Sequence, residues 1–364
     1  MLLDFDEGEM CCRDELLLMR GCALDMKSDI GKLEIKDFPV RNVAELRLLY
    51  EERKQKICES PEWTFIKALC SGRIDDVVSL FEQTRQFVRK ASAVDTPFGR
   101  FEGKSEIREM ANRWLTEYNA QSASVEAFFQ TRSGGRSVTE VVVSFLVDGM
   151  INEVPMFIVG DLRSGGKLEE VRIYHHCTFL PQYQPYRKPM FQSAHLEMGD
   201  PGLLTGAVRE YYEALHHVPC VDVERIVACT SNECIFGGYG PAGSVPMPHN
   251  HEELRRIYKH MATYIPRWVG MRYETIIDDG VTGVIEWVHI VSDAGVAEGG
   301  RVCLSGIAAY QRGDDGLLCS IRISDYAGYE KHIDWSKTDT PRDEAYSYNR
   351  VIEFPPGCGL KEQS

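Results

Sequence analysis

Apolar residues recur along this chain with two periods, and the change from one period to the other happens twice in the same order. From Ser60 to Asn119 the spacing is helical, opened by Ser60-Pro61 as a capping residue and a first-turn proline. Ile107, Met110, Ala111 and Trp114 fall at i, i+3, i+4 and i+7, one face of an amphipathic helix. The period then drops to two through SVEAFFQT, SVTEVVVSFLV, EVPMFIVGDL and KLEEVRIYHHCTF, with Gly, Asp and Asn turns between them. A second helical stretch runs from about Leu203 to Tyr264, followed by GMRYETIID, GVTGVIEWVHIV, RVCLSGIAAYQR and LLCSIRISDY.

The two passages are alike residue by residue. Ala68-Leu69 recurs as Ala214-Leu215, and the quartet ending in Trp114 recurs as Leu254, Ile257, Tyr258 and Met261. EEVRIYHH, ending at His176, recurs as CSIRISDY, ending at Tyr326. Three blocks in one order at a nearly constant offset indicate a tandem duplication. Helices followed by hairpin-linked strands predict α+β units, each an antiparallel sheet curled around its helices. The expected organisation is an N-terminal extension over 1–59, a first domain over 60–180 and a Pro-rich linker over 181–202. A second domain over 203–335 and a C-terminal tail over 336–364 complete it.

Composition narrows the function classes. Fifty-five acidic residues against 41 Lys and Arg give a net charge of −14, which repels phosphate backbones, so nucleic acid is not an expected partner. No apolar run reaches the ~18 residues of a membrane helix, so no membrane partner is expected either. The acidic opening MLLDFDEGEMCC lacks the basic start of a secretory leader. The 12 cysteines are therefore read as reduced thiols of a cytoplasmic protein, most of them small core residues. Residues 1–25 read as a loose tail, with Met26 as an alternative start.

Each copy resembles a nuclear transport factor 2-like domain of the SnoaL-like, ketosteroid isomerase-like kind. The resemblance is carried by an opening helix ending in a small/Asp segment, the loop PFGRFEG before the third helix, and a closing strand ending RISDY. It implies two tandem cone-shaped α+β barrels, each with helices packed in a curved antiparallel sheet over an apolar pocket. It does not fix the chemistry, because such folds serve isomerases, dehydratases, hydrolases, cyclases and pure binding proteins.

Strand alternation selects the residues that face inward. In the last strand Ile321, Ile323 and Asp325 share one face, and Ser320, Arg322 and Ser324 the other. A carboxylate at the end of an apolar face is poorly solvated and suited to proton transfer near neutral pH. The resemblance also puts Asp325 on the acid/base position of SnoaL-like cyclases; the plain alternative is a strand-end Asp in solvent. Its match in the first copy is His175, read either as a pocket residue or as a core histidine with one hydrogen bond. Ile285, Trp287 and His289 share a face, making His289 a second titratable group, with Glu286 the rival if the faces are reversed. The opening helix of the second copy brings Tyr211 and Tyr212, phenols able to donate to a developing oxyanion, where the first copy has Phe65 and Ile66. Trp287, Tyr273, Tyr258, Ile323 and His175 form the expected substrate lining.

These residues predict a cofactor-independent enzyme of the lyase or isomerase type, working in a pocket of the second domain. It would move a proton on a hydrophobic molecule, which the resemblance implies is aromatic, polyketide-like or steroid-like. Two alternatives stand beside it. A haem- or metal-dependent oxygenase would draw on His216, His217 and Cys220, or on His249, His251 and His260. A ligand-binding or assembly protein would leave the polar residues incidental. Gly237-Gly238-Tyr239-Gly240 reads as lying between helices and lacks the Lys-Ser/Thr of a phosphate loop, so no nucleotide or flavin is expected. The outer sheet faces carry Arg172, Tyr174, Arg322 and Ser324. They are expected to pack on each other as an internal pseudo-dimer, or on a second chain as a homodimer.

Overall fold

The computed structural model describes residues 51, 54–81, 92–96, 98–163, 165–175, 199–217, 221–238, 247–262, 268–292, 301–328 and 352–353. The chain divides into two compact units, one formed by residues 42–188 with 277–279 and the other by 1–41, 189–276 and 280–364. Met26 and the tail around it, most of the expected linker, His176 and Cys220 lie outside the described residues.

In the N-terminal unit, α1 (Pro61–Cys70) starts where the sequence places it. The Ser60 hydroxyl accepts from the Trp63 N–H, and Pro61 takes a position whose N–H has no helical partner. Phe65, Ile66 and Leu69 are buried, each such side chain contributing about 1.5–3 kcal/mol. After α2 (Ile74–Ser79), α3 (Gly103–Glu117) buries the predicted quartet Ile107, Met110, Ala111 and Trp114. Between those helices the expected helical stretch is broken by a hairpin of β1 (Ala93–Thr96) and β2 (Gly99–Glu102). Four-residue strands carry too little alternation to stand out against helical spacing on both sides.

The strands β3 (Ser122–Ser133), β4 (Arg136–Val147), β5 (Met150–Leu162) and β6 (Leu168–Tyr174) pair antiparallel in turn. Asp148-Gly149, with φ of 50° and 77°, makes the tight left-handed turn between β4 and β5 that the Asp-Gly pair signals. The sheet order is β2-β1-β6-β5-β4-β3, and β1 runs parallel to β6, so the sheet is mixed. Val141, Val143, Met156, Ile158, Val171 and Ile173 face the helices and form the core with them.

The C-terminal unit repeats this order. It contains α4 (Gly206–Leu215), α5 (Val223–Ala228), β7 (Thr230–Gly238), β8 (Met247–Asn250) and α6 (His251–Ala262). Then come β9 (Trp268–Asp278), β10 (Thr282–Ser292), β11 (Arg301–Arg312) and β12 (Leu318–Gly328). The neighbours run β8-β7-β12-β11-β10-β9, strand for strand the order of the first sheet, with β7 parallel to β12. Here too a hairpin interrupts the expected helical stretch, and Gly237-Gly238 closes a strand instead of linking helices. A short β13 (Ile352–Glu353) from the expected tail pairs with β9 at the far edge.

The duplication holds at the level of register. The cross-strand row Glu140–Phe157–Tyr174 has its counterpart in Glu286–Ile307–Ser324, and Arg172 of β6 in Arg322 of β12. All of these residues lie on the face turned away from the helices, and all are buried. Charges there are satisfied locally, as burial requires. Arg172 Nη1 donates to Asp161 at 2.6 Å, and Arg100 grips Glu170 with two bonds of 3.0 and 3.1 Å. Arg322 Nη1 donates to Gln311 at 2.9 Å and to Ser320 at 2.8 Å.

Candidate functional site

The helix-facing side of the C-terminal sheet is organised in rows. Directly opposed residues of an antiparallel pair present their side chains to the same face. Reading across β10, β11 and β12 gives Gly283–Tyr310–Ile321, then Ile285–Ala308–Ile323, then Trp287–Gly306–Asp325. Ile285, Trp287, Ala308, Tyr310 and Ile321 belong to the apolar core, with Ile323 packed against it. The sequence therefore assigned the faces of β10 and β12 correctly. Glu286, the rival, is fully buried on the opposite face.

Asp325 sits in register beside Gly306, on the face of Ile321 and Ile323, and His289 is in register with Leu304 on the face of Trp287. Their side chains, and that of Tyr273 in β9, lie outside the described residues.

A polar feature lies within this apolar interior. The phenols of Tyr211 on α4 and Tyr258 on α6 share a hydrogen bond of 2.9 Å, and the Tyr310 ring packs 4.9 Å from that of Tyr211. The rings of Phe236 and Tyr258 are 5.6 Å apart. Burial pushes both bonded phenols above the ordinary tyrosine range, so at neutral pH they remain hydrogen-bond donors. α4 reaches the sheet because Gly283 has no side chain: a Cβ there would meet Val208 Cγ1 at 2.6 Å. Tyr212, expected beside Tyr211, is half-buried at the core edge, its ring 4.3 Å from that of His216. Of the expected phenols, Tyr211 and Tyr258 are brought together; Tyr212 is not part of the pair.

Sequence reasoning missed Tyr310 and Gly306. The signal was present: in RVCLSGIAAYQR the same alternation used for β12 puts Gly306, Ala308 and Tyr310 on one face.

The N-terminal interior is filled differently. His175 is fully buried, with Nε2 2.6 Å from the Tyr118 phenol, and Tyr118 stacks on Phe145 at 4.1 Å. It is a core histidine held by a hydrogen bond, the plainer of its two readings. Glu62 of α1 is also fully buried and accepts on Oε1 from Ser60 at 2.5 Å and Thr139 at 2.9 Å.

Two of the histidines weighed as ligands, His216 and His251, bond to backbone carbonyls, and the side chain of His260 lies outside the described residues. His216 Nδ1 lies 2.6 Å from the Tyr212 carbonyl, and His251 Nε2 lies 2.9 Å from the Thr230 carbonyl. Among the described residues no group of three or more His, Cys, Asp and Glu side chains could hold a metal ion. Burial pushes the thiols of Cys70 and Cys229 up to about 12, the behaviour of core cysteines. Also among the described residues, no helix is long and apolar enough to cross a membrane.

No family model matches the sequence, and no curated protein matches it. Solved structures do. A hypothetical protein with a ketosteroid isomerase-like fold from Catenulispora acidiphila, in complex with trimethylamine, is 16% identical with a TM-score of 0.28. The match covers 32% of this chain and 86% of that one. A nuclear transport factor 2-like protein of unknown function from Cytophaga hutchinsonii is 11% identical with a TM-score of 0.24, covering 33% of this chain and 94% of its own. The strand order and helix placement described above are what identify the architecture: two successive α+β units, each with the nuclear transport factor 2-like fold.

Proposed function

We propose that the protein is a cofactor-independent enzyme that moves a proton on a hydrophobic carbonyl compound inside the C-terminal unit. The observation that supports this reading best is the Tyr211–Tyr258 phenol pair, 2.9 Å apart and buried in an otherwise apolar interior. A fixed phenol donor in a dry site stabilises an oxyanion such as an enolate far better than water does, because it needs no reorganisation. Asp325, on the same helix-facing register as Ile321 and Ile323, is the proposed acid/base. Its reach to the substrate's α-proton would make isomerisation, dehydration, C–C cleavage or aldol cyclisation variants of one step. His289 assists by holding or returning that proton, and Trp287 and Ile323 give the substrate an apolar wall. The N-terminal unit, with a fully packed His175 and no phenol at Phe65 or Ile66, serves as the structural partner.

The test is solvent exchange. The full chain is incubated in D2O with a panel of aromatic and alicyclic ketones, and α-deuterium uptake is followed by mass spectrometry. Exchange by the wild type is expected, with about a 100-fold loss or more in Asp325→Asn. Exchange that is absent, or equal in both proteins, removes the enzymatic reading.

A further inference from the structure

We infer that the groove between α4, α5 and the β11–β12 turn binds a small primary amine in its ammonium form, at the place where the N-terminal unit seats its own lysine. The groove lies on the outside of the C-terminal unit, and the inference does not depend on the proposed reaction. The groove holds about 290 Å³ and is lined by Ala207 and Glu210 of α4, Arg225 and Ala228 of α5, and Asp315 and Leu317 of the turn. That volume is at the lower end of ligand-binding clefts, ~300–1,000 Å³, so the occupant is small.

Here the two units match bond for bond. The Leu168 N–H donates to the Leu80 carbonyl at 3.0 Å, and the Leu318 N–H to the Cys229 carbonyl at 2.9 Å. The β5–β6 turn closes with Arg163 N–H to Lys167 carbonyl at 2.9 Å, the β11–β12 turn with Gly313 N–H to Leu317 carbonyl at 2.8 Å. Gly166 and Gly316 take the same left-handed step, with φ of 76° and 77°. These bonds equate Lys167 with Leu317 and Gly165 with Asp315. They also equate Ser79 with Ala228, the last residues of α2 and α5.

In the first unit the Lys167 ammonium donates to the Ser79 carbonyl at 2.8 Å. A carbonyl at a helix end has no partner within its own helix, and the lysine supplies one. In the second unit Leu317 has no donor to offer, and among the described residues nothing donates to the Ala228 carbonyl. Negative charge has moved the other way. Where Gly165 has no side chain, Asp315 brings a carboxylate. Among the described residues it accepts only from neutral donors, the Leu317 N–H at 3.0 Å and the Ser231 hydroxyl at 3.2 Å. Glu210 stands where the first unit has Thr64. Arg225, the cation of the lining, is already bonded to Glu210 at 2.8 Å and Glu213 at 2.6 Å. The second unit has thus lost its internal cation, kept the carbonyl and gained carboxylates. Those are the acceptors that the three N–H groups of an ammonium need, and Ala207 and Leu317 offer apolar surface to a short carbon chain.

The experiment titrates the full chain at constant ionic strength with n-butylammonium, which matches a lysine side chain, and with n-butanol, its uncharged counterpart. Binding is followed by ligand-observed NMR. The expected dissociation constant for butylammonium is on the order of 1 mM, with butanol about tenfold weaker or worse. Leu317→Lys installs the lysine of the first unit, which should fill the groove and abolish binding at the wild-type melting temperature. Leu317→Gln, of similar length without the charge, should keep the affinity within about threefold, and Asp315→Asn should weaken it about 3- to 10-fold. The inference is overturned if butylammonium does not bind the wild type, if butanol binds equally well, or if Leu317→Lys binds like the wild type. Equal loss in Leu317→Lys and Leu317→Gln also overturns it, since the effect is then lost apolar contact and not occupation by an ammonium. Nα-acetyl-lysine methylamide serves as a last probe: if it binds more tightly than butylammonium, the occupant is a lysine of a partner protein and the small-amine assignment falls.

Discussion

The Tyr118 phenol and Nε2 of His175 lie 2.6 Å apart with both side chains buried, so the interior of the N-terminal unit holds a closed polar pair. Trp114, 4.9 Å from the Tyr118 ring, and Phe98, 5.2 Å from it, seal that pair in an aromatic shell. Tyr118→Phe keeps the shape and removes the hydroxyl, leaving a buried ring nitrogen without that partner. The expected cost is about 1–3 kcal/mol of folding stability, read from urea midpoints. Deuterium exchange should stay at the wild-type rate if the chemistry belongs to the C-terminal unit.

Much of this arrangement was legible in the sequence because buried faces repeat. Ile321 and Ile323 alternate with Arg322 and Ser324, and the structure puts the first pair toward the helices and the second pair, buried, on the opposite face. What escaped was short or set by distant contacts. The β1–β2 and β7–β8 hairpins include four-residue strands inside helical spacing, too brief for a period to show. The Tyr211–Tyr258 bond joins residues from two helices whose approach depends on packing. Periodicity assigns a residue to a face; it does not say which residues across the interior meet.

Tyr258→Phe tests the phenol pair. The change removes the donor nearest Tyr211 while preserving ring contacts with Phe236. If the pair polarises a substrate oxygen, the exchange rate falls about 100-fold, the scale for loss of one oxyanion donor. A fall in affinity alone, with turnover intact, would assign the pair to binding.

The same phenols set an alkaline limit. Burial raises the folded pKa of Tyr211 and Tyr258 above the unfolded value of about 10. Above that pH the unfolded chain releases protons that the folded chain retains, so unfolding is favoured as pH rises. Stability should be flat from this source below pH ~10 and decline above it. Tyrosinate absorbance should show at least two phenols that ionise only as the protein unfolds, and Tyr258→Phe should remove one of them.

His216 sets a limit at the acid end. Burial holds its imidazole down to about 4, against the partial opposing pull of the Tyr212 carbonyl on Nδ1. Below an unfolded pKa of about 6.5 the unfolded chain takes up a proton that the folded chain refuses. Stability contributed at neutral pH is therefore lost as pH falls from about 6.5 toward 4, by at most about 1.4 kcal/mol per pH unit. Urea midpoints measured at pH 7 and 5 should draw together in His216→Gln relative to the wild type. An imidazole signal titrating near 6.5 in the folded protein would contradict this.

Arg172 offers a further stability effect. It is fully buried, with Asp161 at 2.6 Å and Glu170 at 3.4 Å, and Asp161 is shared with Arg136 at 2.9 Å. Removing the cation takes one partner from each of two buried carboxylates, which keep Arg136 and Arg100 respectively. Breaking a buried ion pair from one side costs about 3–5 kcal/mol when the other charge is left alone, and these retained arginines put the expected loss at or below the lower end of that range. Arg172→Met keeps most of the side-chain volume, so the loss measured by denaturation reports charge instead of cavity. Adding Asp161→Asn to Arg172→Met should recover part of it by removing one charge that has lost a partner. If the double variant is no more stable than the single, the destabilisation comes from packing and the ion cluster is energetically idle.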